Sequence, residues 1–135
     1  MALEILYALI CVTAAAPLLW SRAQIQRFLS LTPVIADRQG IQRYRTVARK
    51  AIYAPMFSVV AEAAAAVIGF VLVRRHGWVA LGPVLFATLA FFFLQKSHDG
   101  AERRALALGV AGEDLEREHG RVRDAWAARQ LERLI

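Results

Sequence analysis

The sequence predicts an all-α integral membrane protein with three transmembrane helices, an interfacial linker helix and a charged amphipathic C-terminal helix. Three observations carry this reading. Hydrophobic residues make up 58% of the 135-residue chain and the mean hydropathy is +0.41, whereas soluble domains run at about 45–50% apolar. The excess is gathered into three blocks, residues 3–20, 51–73 and 78–95. These are apolar on every face, unlike the one-sided stripe of a soluble amphipathic helix. Finally, Trp20, Tyr53 and Trp78 stand at block ends, where amphipathic rings settle at the level of lipid headgroups. The length suits one compact unit, read as a membrane domain over residues 1–99 followed by a helical tail over 100–135.

The first block is close to the roughly 20 residues needed to cross a hydrocarbon core. Pro17 falls in its last turn and is expected to kink or end the helix. No Lys or Arg precedes the block, and the only small-residue cleavage candidate, Ala14-Ala15-Ala16, runs into Pro17. The segment is therefore read as a retained span rather than a signal peptide. Its Cys11 is the only cysteine, which excludes an intrachain disulfide or a cysteine-based metal site. It is expected to pack as a small hydrophobe.

The basic linker, residues 21–50, begins with Ile25, Phe28, Leu29 and Leu31 set against Arg22, Gln24, Gln26 and Arg27. That pattern predicts a short helix lying on the headgroups. After Thr32-Pro33 a second helical stretch is expected to run directly into the second span. Only Arg74, Arg75, His76 and Gly77 separate the second and third spans, which makes them an antiparallel hairpin. In the tail, Leu106, Leu108, Leu115, Val122, Trp126, Leu131 and Leu134 recur at loose helical spacing, with Gly109 and Gly112 as interruptions. Glu113 and Arg117 form an i,i+4 pair in the favourable order. A helix of this kind is expected to dock on another subunit or on the linker.

Orientation follows from Lys and Arg. The linker holds Arg22, Arg27, Arg38, Arg43, Arg45, Arg49 and Lys50, and the tail adds Lys96, Arg103 and Arg104, against Arg74 and Arg75 in the hairpin. The positive-inside rule puts linker and tail in the cytoplasm and the N-terminus outside, across a cell inner membrane. The net charge of +6 and pI near 10.4 are then explained by anionic headgroups as partners, and nucleic acid is not expected.

Glu62 is the most informative residue. It lies at the middle of the second span beside Ala61 and the run of alanines at 63–66. An acid at that depth costs about 2.5–3.5 kcal/mol on insertion scales, which makes it a functional candidate. It is expected to be neutral and hydrogen-bonded to Ser58, Thr88 or a partner helix; proton or ion coupling and ligand binding are the alternatives. Ser58, Glu62 and Ala66 share one helix face, and Ala61, Ala65 and Gly69 form a ridge of small residues suited to close helix packing.

No cofactor is expected. His76 and His98 stand roughly 33 Å apart along the third helix at 1.5 Å per residue, so they cannot hold a b-type haem between them. His98 and Glu102 are i,i+4 with Asp99 alongside, and with His119 or Glu118 folding back they make candidate carboxylate/imidazole metal ligands. An interfacial charge cluster explains the same residues. Ser97, His98 and Asp99 are sequence neighbours that point about 100° apart on a helix, so they do not form a triad. Phosphate loops, nucleophile elbows and zincin motifs are missing from the sequence. The expected function is a non-enzymatic accessory or assembly subunit of a larger membrane complex, or a homo-oligomer. The alternatives are a small homo-oligomeric channel or transporter using Glu62, and a small membrane enzyme acting on a lipophilic substrate.

Overall fold

The computed structural model describes residues 1–134. These residues form four helices, α1 (Ala2–Leu31), α2 (Arg38–His76), α3 (Trp78–Leu106) and α4 (Glu113–Ala127), followed by a 3-10 turn at Leu131–Arg133. The first three are long and apolar enough to cross a membrane. At 1.5 Å per residue α1 and α2 extend about 45 and 58 Å, well past the roughly 30 Å of a hydrocarbon core. The surplus lies at the end that carries α4, and it divides the molecule into a thin apolar bundle and a charged helical cap.

The apolar bundle is sparsely packed. Of the most apolar stretch of each helix, 11% is buried in α1, 22% in α2 and none in α3. The hairpin between α2 and α3 turns on Gly77 alone, whose φ of 64° suits glycine, which lacks the Cβ that makes this region costly. Its N–H donates to the Val73 carbonyl at 2.8 Å. At the same end the His76 Nε2 sits 3.1 Å from the Glu4 carboxylate, bringing the start of α1 beside the end of α2.

The cap contains the main core. Ile25 and Phe28 of α1, Ile41, Tyr44, Val47, Ala48, Ala51 and Ile52 of α2, Ala101 and Ala105 of α3, and Val122, Ala125 and Trp126 of α4 are buried together, with Ile35 and Leu134 from the connections. Linker and tail therefore pack as one unit. The two loops clasp each other around Ile35: the Ile35 N–H donates to Gly109 and the Ala111 N–H donates to Ile35, at 3.2 and 2.9 Å. Asp37 caps α2, accepting from the Gly40 N–H at 2.6 Å. At Gly40 a Cβ would sit 3.1 Å from the Ile35 side chain, so a glycine there lets Ile35 close onto the helix.

Two expectations from the sequence are corrected. The stretch expected as a separate helix on the headgroups is the last part of α1, which continues through Pro17 to Leu31 without a break. Its apolar stripe turns inward, burying Ile25 and Phe28 against protein while Leu31 remains exposed. The physical reason is that α2 and α4 offer an apolar surface at that level, a tertiary contact that local periodicity does not record. The second correction concerns Ser58, expected as a partner for Glu62. Its hydroxyl instead donates to the Ala14 carbonyl of α1 at 2.6 Å, tying α2 to α1.

Candidate functional site

Two groups of polar residues stand out, one in the apolar bundle and one where bundle and cap meet.

In the bundle, Glu62 is half-buried and its Oε1 is enclosed without a hydrogen-bond partner. It lines a cleft of about 330 Å³ with Tyr7, Ala65, Thr88, Phe92 and Gln95 among others. Thr88, the other expected partner, donates to the Val84 carbonyl of its own helix at 2.9 Å. On the neighbouring ridge Ala65 and Gly69 are buried and Ala61 is half-buried, whereas Ala66, on the face of Ser58 and Glu62, is exposed. A Cβ at Gly69 would come within 3.3 Å of both the Tyr7 ring and the Val84 side chain. Gly69 is thus a point of close approach of α1, α2 and α3.

The second group begins one residue beyond Trp20, whose ring lies 5.2 Å from the Lys50 ammonium, a cation–π contact at the end of the apolar zone. Ser21 of α1 and His98 of α3 meet there, with Ser21 Oγ and His98 Nε2 at 2.8 Å. Both are essentially inaccessible to solvent. On the other side of the ring, His98 Nδ1 faces Glu102 Oε1 one turn along α3, at 3.4 Å. The two atoms are at ion-pair distance but are not joined by a hydrogen bond, and among the described residues neither has a hydrogen-bond partner. Arg129 closes the group from beyond α4, donating to Glu102 Oε2 at 3.2 Å. The Asp99 carboxylate, His98 and Glu102 each offer a ligand atom, and the three atoms lie within 4.8 Å of one another.

Burial governs the electrostatics. It pushes the His98 imidazole below its ordinary range, opposed by Asp99, because desolvation disfavours the cation. It pushes the Glu102 carboxyl above its ordinary range, opposed by the Arg129 charge. His119 and Glu118, expected as additional ligands, lie elsewhere. His119 packs its ring on Tyr44 with centroids 5.1 Å apart, and Glu118 sits 3.7 Å from Arg45.

Serine on Nε2 and a carboxylate on Nδ1 is the order found in acyl-transfer triads. Here Ser21 is fully buried, so a substrate cannot reach its hydroxyl in this arrangement, and the group is not read as a hydrolase centre. Sequence inspection missed Ser21 and Arg129. Ser21 comes from a helix far away in the chain, and nothing local marks it. Arg129 carries a structural signal only, a φ of 53°, in the left-handed region that non-glycine residues seldom occupy. Its N–H and that of Gln130 bond back to Trp126 and Ala125 at 3.0 and 2.8 Å, closing α4 with a Schellman-type cap where glycine is usual. An arginine at that position accepts a backbone cost of roughly 1–2 kcal/mol and gains the contact with Glu102.

Comparisons with protein-family models, with curated proteins and with solved structures find no match to this chain.

Proposed function

We propose that this chain is a non-enzymatic accessory or assembly subunit of a larger complex in the cell inner membrane, with its N-terminus outside and its cap in the cytoplasm. One observation carries the reading: Glu62 Oε1 is enclosed near the middle of the longest apolar helix with no hydrogen-bond partner among the described residues. A buried polar atom left unpaired costs about 1–3 kcal/mol, and the neighbouring surfaces of α2 and α3 are open. A helix from another chain that brings a donor to the Glu62 cleft removes this cost and covers that surface. Polar groups bonding across a contact of small residues is the usual chemistry of helix association in lipid, where apolar side chains gain little from one another. The cap, by contrast, is already closed by its own aromatic core.

The test uses the full chain in its native membrane. Photoreactive residues at Val59 and Ala66, one turn either side of Glu62 and both exposed, should crosslink to a second polypeptide. Glu62→Leu should reduce that crosslink about 5- to 30-fold, the equivalent of roughly 1–2 kcal/mol, while Glu62→Gln should retain it. A chain that runs as a monomer after mild extraction, with no crosslink at either position, overturns the proposal. A crosslink to a second copy alone would replace the larger complex with a homo-oligomer, the arrangement a channel or transporter requires.

A further inference from the structure

We propose that His98, Asp99 and Glu102 form a binding site for one first-row divalent transition-metal ion at the junction of the apolar bundle and the cap. The geometry of two atoms carries it. His98 Nδ1 and Glu102 Oε1 face each other at 3.4 Å, and each is buried without a hydrogen-bond partner. Two donors bound tetrahedrally at about 2.0–2.1 Å from one Zn²⁺ stand about 3.4 Å apart. An ion between them satisfies both orphaned atoms, which the protein leaves unsatisfied.

The surroundings fit the same chemistry. A ligating imidazole is ordinarily held by a hydrogen bond at its other nitrogen, and Ser21 Oγ sits 2.8 Å from Nε2. With Nε2–H donating to Ser21, the Nδ1 lone pair points at Glu102. Arg129 donates to Oε2 of the same carboxylate with the Trp126 indole beside it, and among the described residues Oε1 has no hydrogen-bond partner. Asp99 supplies a third donor, its ligand atom within 4.8 Å of the others, so that a modest swing of a side chain that is not buried brings it in. One nitrogen and two oxygen donors suit zinc and its first-row neighbours better than thiophilic ions. Such an ion would join α3 to the Ser21 turn of α1 and, through Arg129, to the end of α4.

The inference is independent of the assembly proposal, because every group involved belongs to this chain. Its test is metal binding by the chelator-treated full chain in lipid nanodiscs. Calorimetry with Zn²⁺ alone and visible absorption with Co²⁺ alone give two readouts. We expect one equivalent to bind and the thermal midpoint of the cap to rise with it. Asp99→Asn, which alters only an accessible side chain, should weaken binding at least 10-fold, Glu102→Gln should weaken it more, and Ser21→Ala should weaken it about 10- to 100-fold. Absence of stoichiometric binding by the wild-type protein overturns the site. So does binding that is unchanged in Asp99→Asn, which would place the ion elsewhere even if Glu102→Gln fails to fold.

Discussion

Tyr44 is the residue on which the cap should depend most, and two substitutions there separate packing from hydrogen bonding. Its ring is fully buried and meets Phe28, His119 and Trp126 at centroid distances of 5.9, 5.1 and 5.3 Å. Its hydroxyl donates to the Ala105 carbonyl at 3.2 Å. Through one side chain α2 therefore touches α1, α3 and α4. Tyr44→Ala removes a buried aromatic from a site with rings on several sides, a change worth about 3–5 kcal/mol. Tyr44→Phe keeps the ring and its stacking and removes one hydrogen bond, for about 0.5–1.5 kcal/mol.

The effect should be confined to the cap, because the apolar bundle shares little core with it. Amide hydrogen exchange in α4 reads this directly, since exchange reports the free energy of local opening. A loss of about 4 kcal/mol raises the open population nearly a thousandfold at 1.4 kcal/mol per decade. Tryptic cleavage at Arg121 and Arg123, both exposed on α4, should accelerate in parallel, while exchange in α2 around residues 58–70 should not change. Equal damage from Tyr44→Phe and Tyr44→Ala would show that the hydrogen bond, not the aromatic packing, holds the cap. Unchanged exchange in α4 on Tyr44→Ala would refute the description of this core.

Gly69→Leu should separate α1 from α3 by forcing a side chain against Tyr7 and Val84, lowering the thermal midpoint of the bundle through an overpacking cost of about 1–3 kcal/mol; an unchanged midpoint would mean that the contact is not tight. Burial and Arg123 push His119 below the ordinary imidazole range, so the stability it contributes is present above pH 6.5 and lost as pH falls below it, by up to about 1.4 kcal/mol per unit. His98 has the same sign and Glu102 the opposite one, since a raised carboxyl favours the fold toward low pH. The difference between wild type and His119→Phe, which keeps the stack on Tyr44, should isolate the His119 part as a shallower loss of α4 protection between pH 6.5 and 5. Labelling of single cysteines in intact cells should reach residue 76 from outside and leave residues 38 and 117 protected; the reverse pattern would invert the orientation.

The membrane fold was legible because its signal is compositional. Three apolar blocks become the three long helices, and the four-residue gap at Arg74–Gly77 becomes a turn at Gly77. What was not legible depends on which surfaces meet. The stripe Ile25, Phe28 reads identically whether a helix lies on headgroups or against protein, and only the tertiary packing, chiefly against α2 through Tyr44, decides between them. Glu62 was visible as an anomaly, but its expected partners were not available, because Ser58 and Thr88 each bond to a backbone carbonyl. The His98 group was visible as an i,i+4 pair. Its completion by Ser21 and Arg129 came from residues on other elements, which no spacing rule connects to it.

The division between bundle and cap also decides how changes in one half reach the other. Few buried apolar contacts join them, so coupling must pass through the elements they share: α1 at Ser21, α2 below Tyr44, and α3 at His98. Of these, the Ser21–His98 contact is a side chain to side chain hydrogen bond that joins α1 to α3. It lies next to Glu102 and Arg129, whose strained backbone ends α4. A rotation of α1 within the bundle would move Ser21, loosen the His98 ring, and disturb the Glu102–Arg129 contact that adds to the backbone cap of α4. If a helix from another chain rotates α1 on entering the Glu62 cleft, the buried His98 imidazole is the group through which the cap would respond. A double-mutant comparison of Ser21→Ala with Glu62→Leu, read as α4 exchange, should show non-additivity above about 0.5 kcal/mol if the path exists. Strict additivity would mean that the bundle and the cap respond separately.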